Sequence, residues 1–372
     1  MDNHGFRELF EEESWSLRPL DKVYITKNES TVIAAAVGGR FESGNGFTLL
    51  GAHTDSPCLR LKPNSERLKE GYIQLGVETY GGGLWYTWFD RDLKLAGRVI
   101  IRNAEGRLEQ RLVHINNPIA CVPSLAIHLN QEIKTQGFHP NSEQHLSPIL
   151  TGRPYRLANR HPPALLRLLS EETGVSEQQI VELELCFADA QPACVGGLYK
   201  EFIHAPRLDN LFNSYAGLHG FIESLPTLSS ECNIRLLCLF DHEEVGSTSA
   251  QGADSGYTLS VIRRLNKAFE MSKSFLVSAD QAHAVHPSWG ERHECYHKPQ
   301  FHSGVVLKYN VSQRYATNSL TAAVVREIAH LSNVPVQVSG CTFIPEWMFI
   351  LGLSSTIFFK RYHVNHLATE SR

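Results

Sequence analysis

Apolar residues collect in short runs, and the runs change character along the chain. Thr31–Val37 (TVIAAAV) and Phe47–Ala52 (FTLLGA) are compact and apolar, which predicts buried strands. The second run gives way to His53-Thr54-Asp55-Ser56-Pro57, and charges then rise across Arg60–Glu70, marking an exit from a first core. Residues 72–118 alternate short apolar runs with turns, including Leu95–Arg102 and Arg111–Ile115, and predict a region rich in β-strand. Ser124–Ile133 (SLAIHLNQEI) and Ala164–Glu172 (ALLRLLSEE) carry helical spacing, with a polar loop expected between them over 134–162. After Ala205-Pro206 the pattern changes again. Helical segments near 210–224, 256–270 and 318–332 alternate with strand-like runs at 234–240, 274–279 and 304–309. Such alternation predicts an α/β layer, a sheet flanked by helices, interrupted by an inserted segment.

Composition narrows the classes. The 372 residues are 42% hydrophobic, ample for a core, and the formal net charge of −4 implies no broad basic face. Nucleic acid is therefore a poor candidate partner. None of the eight cysteines forms a C-x-x-C pair and most lie in apolar runs, as reduced thiols of a cytoplasmic protein would. The first 25 residues are charged and hold no apolar signal core, which also points to the cytoplasm. Trp347–Phe359 is apolar but short of the roughly 20 residues that span a bilayer, so no membrane anchor is expected.

Acids and histidines recur where apolar runs end. His53 and Asp55 follow FTLLGA, Glu243 and Glu244 follow IRLLCLF, and Asp280 follows SFLVSA, while Asp209 lies in PRLDN. In α/β sheets, ligands bind beyond the carboxyl ends of strands. Hard oxygen and nitrogen donors at such ends point to a divalent ion such as zinc or manganese. The adjacent glutamates then divide their work. One binds metal, and the other takes a proton from an activated water. Taken singly, Asp209 reads equally as a helix cap, the glutamate pair as a solvated loop and His53 as a satisfied core histidine.

Longer motifs carry a resemblance. GAHTDSPCLRLK (51–62), VETYGGGLWYTWFDRDLKLAGRV (77–99), QPACVGGLYKEFIHAPRLDN (191–210), DHEEVGSTSAQGA (241–253) and SADQAHAVHP (278–287) resemble the aspartyl aminopeptidases, di-zinc exopeptidases, over about Gly5–Gln337. The resemblance implies an α/β catalytic domain over 1–58 and 206–337, an inserted β-rich dimerisation domain over 59–205, and a tail at 338–372 outside the family pattern. It implies His53 as a zinc ligand, Asp55 as the aspartate that orients it, and Asp209 as a carboxylate bridging two zinc ions. Glu243 matches the general base, Glu244 a ligand of the second zinc and Asp280 a ligand of the first. Lys308 matches a family lysine and is the candidate cation for an acidic substrate side chain, and Tyr315 is expected to line the same pocket. His128 matches a histidine that reaches a neighbouring subunit's site. The implied activity is removal of N-terminal Asp or Glu from peptides, in a self-associated dodecamer.

The two ends depart from that pattern. The family's helix before GFREL is not matched, and its closing segment, with a Met-His-Ser motif whose histidine completes the second zinc site, has no counterpart in VSGCTFIPEWMFILGLSSTIFFKRYHVNHLATESR. His363 and His366 are weak substitutes on sequence grounds. The expectation is a second zinc held by Asp209 and Glu244 alone, and impaired activity. Another di-zinc acyl hydrolase and an inactive isoform that joins full-length subunits are the competing readings.

Overall fold

The computed structural model describes residues 1–153, 160–266, 271–311, 313 and 315–340. The expectations for His363, His366 and Trp347–Phe359, and residues 267–270 of the expected helix 256–270, lie outside them. The described chain forms two compact units, Met1–Ser56 with the chain from Arg207 onward, and Pro57–Pro206.

The first unit is built on a six-stranded sheet. Its order is Arg7–Glu8, Lys22–Lys27, Thr31–Val37, Ile234–Phe240, Phe47–His53, Phe275–Ser278. Ile234–Phe240 pairs antiparallel with Thr31–Val37 and parallel with Phe47–His53, which in turn pairs parallel with Phe275–Ser278. Strands buried on both faces read as continuous apolar runs, which is why IRLLCLF shows no alternation. The alternation is there in space. Leu236, Cys238 and Phe240 pack with Val261, Ile262 and Leu265, from the helix Gly256–Leu265. Leu237 and Leu239 pack on the other face with Phe221, from the helix Leu208–Glu223.

That second helix lies close to the sheet. A Cβ on Gly217 would meet Leu50 Cδ2 at 3.0 Å and Leu237 Cδ1 at 3.4 Å. Asp209 and Asn210 at the start of the helix are non-helical, at φ −84°, ψ 107° and φ −124°, ψ 23°, so regular helix begins after them and Asp209 lies in the approach to it. A third helix, Ser319–Leu331, is started by a reciprocal cap between Asn318 and Thr321. It connects Val305–Tyr309 to Val336–Gly340, which pair parallel as a separate two-stranded sheet. Val336–Gly340 continues three residues beyond Gln337, where the family-like sequence was expected to stop.

The second unit holds a closed antiparallel barrel of Cys58–Lys69, Tyr72–Tyr80, Ile149–Thr151, Leu108–Cys121, Asp92–Arg102 and Ile180–Asp189. Inward residues such as Leu59, Leu61, Leu75, Leu95, Leu185 and Phe187 fill its core, with Leu165 and Leu169 from the helix Pro163–Thr173. The charges of Arg60–Glu70 lie just past the Ser56–Pro57 division, outside the first core, and belong largely to the barrel strand Cys58–Lys69. The expected loop 134–162 contains the short helix Ser142–His145 and the strand Ile149–Thr151.

The expected helix Ser124–Ile133 does not form. A turn occupies 127–129, and helix appears only over Ile133–Gln136. Leu125, Ile127 and Leu129 are exposed by 58%, 44% and 76%, so among the described residues the apolar stripe has no surface to bury against. Short helices need such packing to persist in water.

The helix–sheet contact sets a test. Gly217→Val should destabilise the protein by about 1–3 kcal/mol through overpacking against Leu50 and Leu237. Urea unfolding checks this. An unchanged midpoint would mean that the helix can move off the sheet freely.

Candidate metal centre

Three parallel strands end side by side and deliver the chemistry. The register sets His53 opposite Phe240, and Ser278 opposite Gly51. His53 closes its own strand, the glutamates follow Phe240 by three and four residues, and Asp280 follows Ser278 by two. Asp209 arrives from the non-helical kink that precedes the regular part of the helix Leu208–Glu223, and its peptide bond to Asn210 is cis.

The side chains converge on one imidazole nitrogen. His53 Nε2 lies 3.4 Å from Asp209 Oδ1, 3.5 Å from Asp280 Oδ1 and 3.8 Å from Glu243 Oε2. Ligand atoms of His53, Asp209 and Glu244 all fall within 4.8 Å of one another. His53, Glu243 and Glu244 are buried, whereas the Asp209 side chain is 57% exposed.

Asp55 organises the group without facing its centre. Its carboxylate accepts the amide N–H of Glu243 and of Glu244, each at 3.1 Å. Its Oδ1 also lies 3.3 Å from His53 Nδ1. The turn that brings both amides round requires His242 in the left-handed region, at φ 64°, followed by Gly246 at φ 100°. Thr31 Oγ1 accepts the amide N–H of Asp241 and donates to the Gln251 carbonyl, fixing the start of that turn.

Sequence reasoning missed a set of positioning residues. Ser56 Oγ donates to the Asp209 carbonyl at 2.6 Å, and Ser214 Oγ donates to the His53 carbonyl at 2.7 Å. Asn210 Nδ2 donates to the Ala279 carbonyl at 2.8 Å and Asn213 Nδ2 to Asn210 Oδ1 at 2.6 Å. These tie the helix to two strand ends. Only the position of Asn210 beside Asp209 hinted at such a role.

The model of the family described as Aminopeptidase I zinc metalloprotease (M18) matches residues 1–342. The chain belongs to this family. It is 44% identical over 361 residues to the aspartyl aminopeptidase of Caenorhabditis elegans, covering 90% of this chain and 76% of that protein. Its structure is similar to that in the cryo-EM structure of the Ape4 and Nbr1 complex, with a TM-score of 0.88 and 34% identity over 98% of this chain and 83% of that one. It is also similar to the S. cerevisiae mApe1 dodecamer, with a TM-score of 0.81 and 26% identity over 97% and 82% of the two chains. This M18 chain is accordingly a zinc-dependent hydrolase of the aspartyl aminopeptidase type, with an α/β fold.

Zinc fits the charge pattern of the M18 site. Asp55, Asp209, Glu243, Glu244 and Asp280 crowd one imidazole. Burial works against a charge on His53, yet hydrogen bonds to Asp209, Asp280 and Asp55 push its pKa up to about 12. Burial, opposed by His53 and reinforced by the other carboxylates, pushes Glu243 and Glu244 each up to about 8. Burial would also raise Asp280, but His53 and the Lys308 ammonium hold it well below the usual carboxylate range. Such a set lacks positive charge at its centre, and a divalent cation supplies it.

Lys308 stands at the edge of this group. Its Nζ donates to Asp280 Oδ2 at 2.9 Å and to the Gln281 carbonyl. Nζ also lies 5.7 Å from the centre of the Tyr315 ring. Both residues line a cavity of about 700 Å³ that includes His53, Glu243 and Asp280 and continues along apolar walls such as Phe275 and Val306. His128 lies in the other unit, exposed on the turn at 127–129.

Two predictions follow from this arrangement. Glu243 and Glu244 have raised pKa values when folded, so their stabilising contribution is complete below about 4.5 and is lost as pH rises through about 8. The His53 contribution is lost in the same direction, from 6.5 toward about 12. Chelated protein should therefore melt at a lower temperature at pH 9 than at pH 6.5, and saturating zinc should flatten that slope. Equal slopes with and without zinc in a melting series would contradict the cation-deficit account. Asp55→Ala should weaken zinc binding about 10–100-fold, as loss of an orienting partner does. Titration calorimetry reads this directly, and unchanged affinity would remove Asp55 from the account.

Proposed function

We propose that the chain removes N-terminal Asp or Glu from peptides, with Glu243 as the general base. The observation that carries this reading is the convergence of His53, Asp209, Glu243, Glu244 and Asp280 beside a cavity that His53, Glu243 and Asp280 line and whose one Lys or Arg side chain, among the described residues, is Lys308. His53, Asp209 and Asp280 would hold one zinc, and Asp209 with Glu244 a second, with Asp209 shared. When bound, zinc polarises a scissile carbonyl and lowers the pKa of water.

The protein's own groups divide the remaining work. Glu243 stands apart from the three-residue ligand group and faces the cavity, so its carboxylate is free to take a proton from the attacking water. It then returns that proton to the leaving amine. A cation is needed to receive an acidic substrate side chain, and the Lys308 ammonium supplies it beside Tyr315. The name of the C. elegans relative supports the acidic preference, and the S. cerevisiae dodecamer supports self-association. Among the described residues, no helix is long and apolar enough to cross a membrane.

A panel of aspartyl-, glutamyl- and leucyl-anilides, with free and acetylated N-termini, tests the reading. Free acidic substrates should react fastest and acetylated ones not at all. Preferential cleavage of acetylated substrates would point to a deacylase instead. Glu243→Gln should lower kcat about 10²–10⁴-fold, the usual contribution of a positioned acid–base group. Lys308→Met should cut the preference for aspartyl over leucyl substrate by about tenfold or more, the size of one charge-assisted hydrogen bond. An unchanged ratio of kcat/KM values would place the acidic side chain elsewhere.

A further inference from the structure

The barrel holds a pair of thiols that the metal centre does not use. Cys58 begins the strand Cys58–Lys69, and Cys186 lies on the neighbouring strand Ile180–Asp189, where it pairs with Arg60. Residues two apart on a strand share a face. Cys58, Arg60 and Cys186 are thus on one face of the barrel wall, opposite the core residues Leu59, Leu61, Leu185 and Phe187. The two thiols are diagonal neighbours on that face and shift each other's ionisation, neither is cross-linked, and both are half-buried.

Arg60 completes the cluster. Its guanidinium stacks on Tyr80 at 3.7 Å from the ring centre and lies 3.8 Å from Glu184 Oε1. Its Nε is buried with no hydrogen-bond partner among the described residues, and the guanidinium charge acts on both thiols. A neutral thiol is a weak acceptor, whereas a thiolate or sulfenate accepts strongly. The roles within the pair are unequal. The hydrogen bond from Cys58, and then the Arg60 charge, lower the Cys186 thiol against the effect of burial. Cys58 is pushed up by that same hydrogen bond and by burial. Cys186, directly opposite Arg60 in the register, is the thiol placed to act as the attacking sulfur, with Cys58 as its partner.

We propose that Cys58 and Cys186 form a peroxide-responsive pair that two-electron oxidation joins into a disulfide across the two barrel strands. The Cys186 thiolate attacks hydrogen peroxide, the O–O bond breaks, and hydroxide leaves as Cys186 becomes a sulfenic acid. The Cys58 sulfur then attacks the Cys186 sulfur. The S–S bond forms, the S–O bond breaks, and the Cys58 proton leaves with the hydroxyl as water. In sum, two thiols and one peroxide give one disulfide and two waters. Arg60 stabilises the thiolate before the first step and the sulfenate after it.

Peptide mapping of the zinc-loaded full chain tests this. The native protein is treated with graded hydrogen peroxide, free thiols are blocked with N-ethylmaleimide, and digests are read by mass spectrometry. A Cys58–Cys186 cross-link should appear at doses that leave most of the exposed Cys194, Cys232 and Cys295 alkylated, and dithiothreitol should reverse it. In Cys58→Ser, dimedone should capture a sulfenic acid at Cys186. Arg60→Gln should slow cross-linking several-fold. Oxidation of Cys194, Cys232 or Cys295 without the cross-link would overturn the proposal, as would a Cys186 sulfenic acid that persists in the unmodified sequence. The first of these readouts needs no variant, so it stands even where a substitution disturbs the barrel.

Discussion

One carboxylate, Asp55, holds the centre together. It receives two consecutive amides from the chain that follows Ile234–Phe240, and it lies against the far nitrogen of His53 at the end of Phe47–His53. Charge-assisted hydrogen bonds of this kind are stronger than neutral ones, and here they are buried. Strand pairing and the Thr54 amide bond to the Phe240 carbonyl hold the two strand ends together, and Asp55 fixes the turns that follow them. His53 Nε2 faces Asp209, Asp280 and Glu243 because Nδ1 is held by Asp55, by its backbone carbonyl at 3.0 Å and its carboxylate at 3.3 Å, and the same carboxylate sets the direction in which Glu243 and Glu244 leave the backbone.

The rest of the first unit serves that geometry. Parallel pairing brings three strand ends level, so their following residues reach a common point. Gly217 lets a helix approach the sheet, and Asp209, in the approach to that helix, comes in from a fourth direction. The outcome is a dense group of acids around one base. By itself that arrangement opposes its own ionisation, which is why two glutamates rise to about 8 while the histidine retains its proton to about 12. A cation reverses both tendencies at once, so the site's electrostatics and the family's dependence on zinc have the same physical origin.

Much of this was legible in the chain. Continuous apolar runs marked the buried strands because no solvated face interrupts them, and IRLLCLF and FTLLGA ended where the structure ends them, give or take one residue. The residues that the structure gathers, His53, Asp55, Asp209, Glu243, Glu244 and Asp280, were picked out by position at strand ends and by long motifs. Ser56, Asn210, Asn213 and Ser214 were not, because a single hydrogen bond to a backbone carbonyl leaves no periodic mark. Ser124–Ile133 misled because helical spacing states a preference, and the packing that would realise it is missing among the described residues. The pairing of Cys58 with Cys186 was also invisible, since it depends on register between strands distant in sequence.

The measurement that bears most directly on the account is hydrolysis of an aspartyl-anilide by the chelated chain as zinc is returned stepwise. Activity should be absent at the start and should rise in proportion to zinc bound at the His53, Asp209, Glu244 and Asp280 cluster. Full activity in the chelated protein, or zinc bound tightly at that cluster with no gain in hydrolysis, would contradict a metal-centred site at these strand ends.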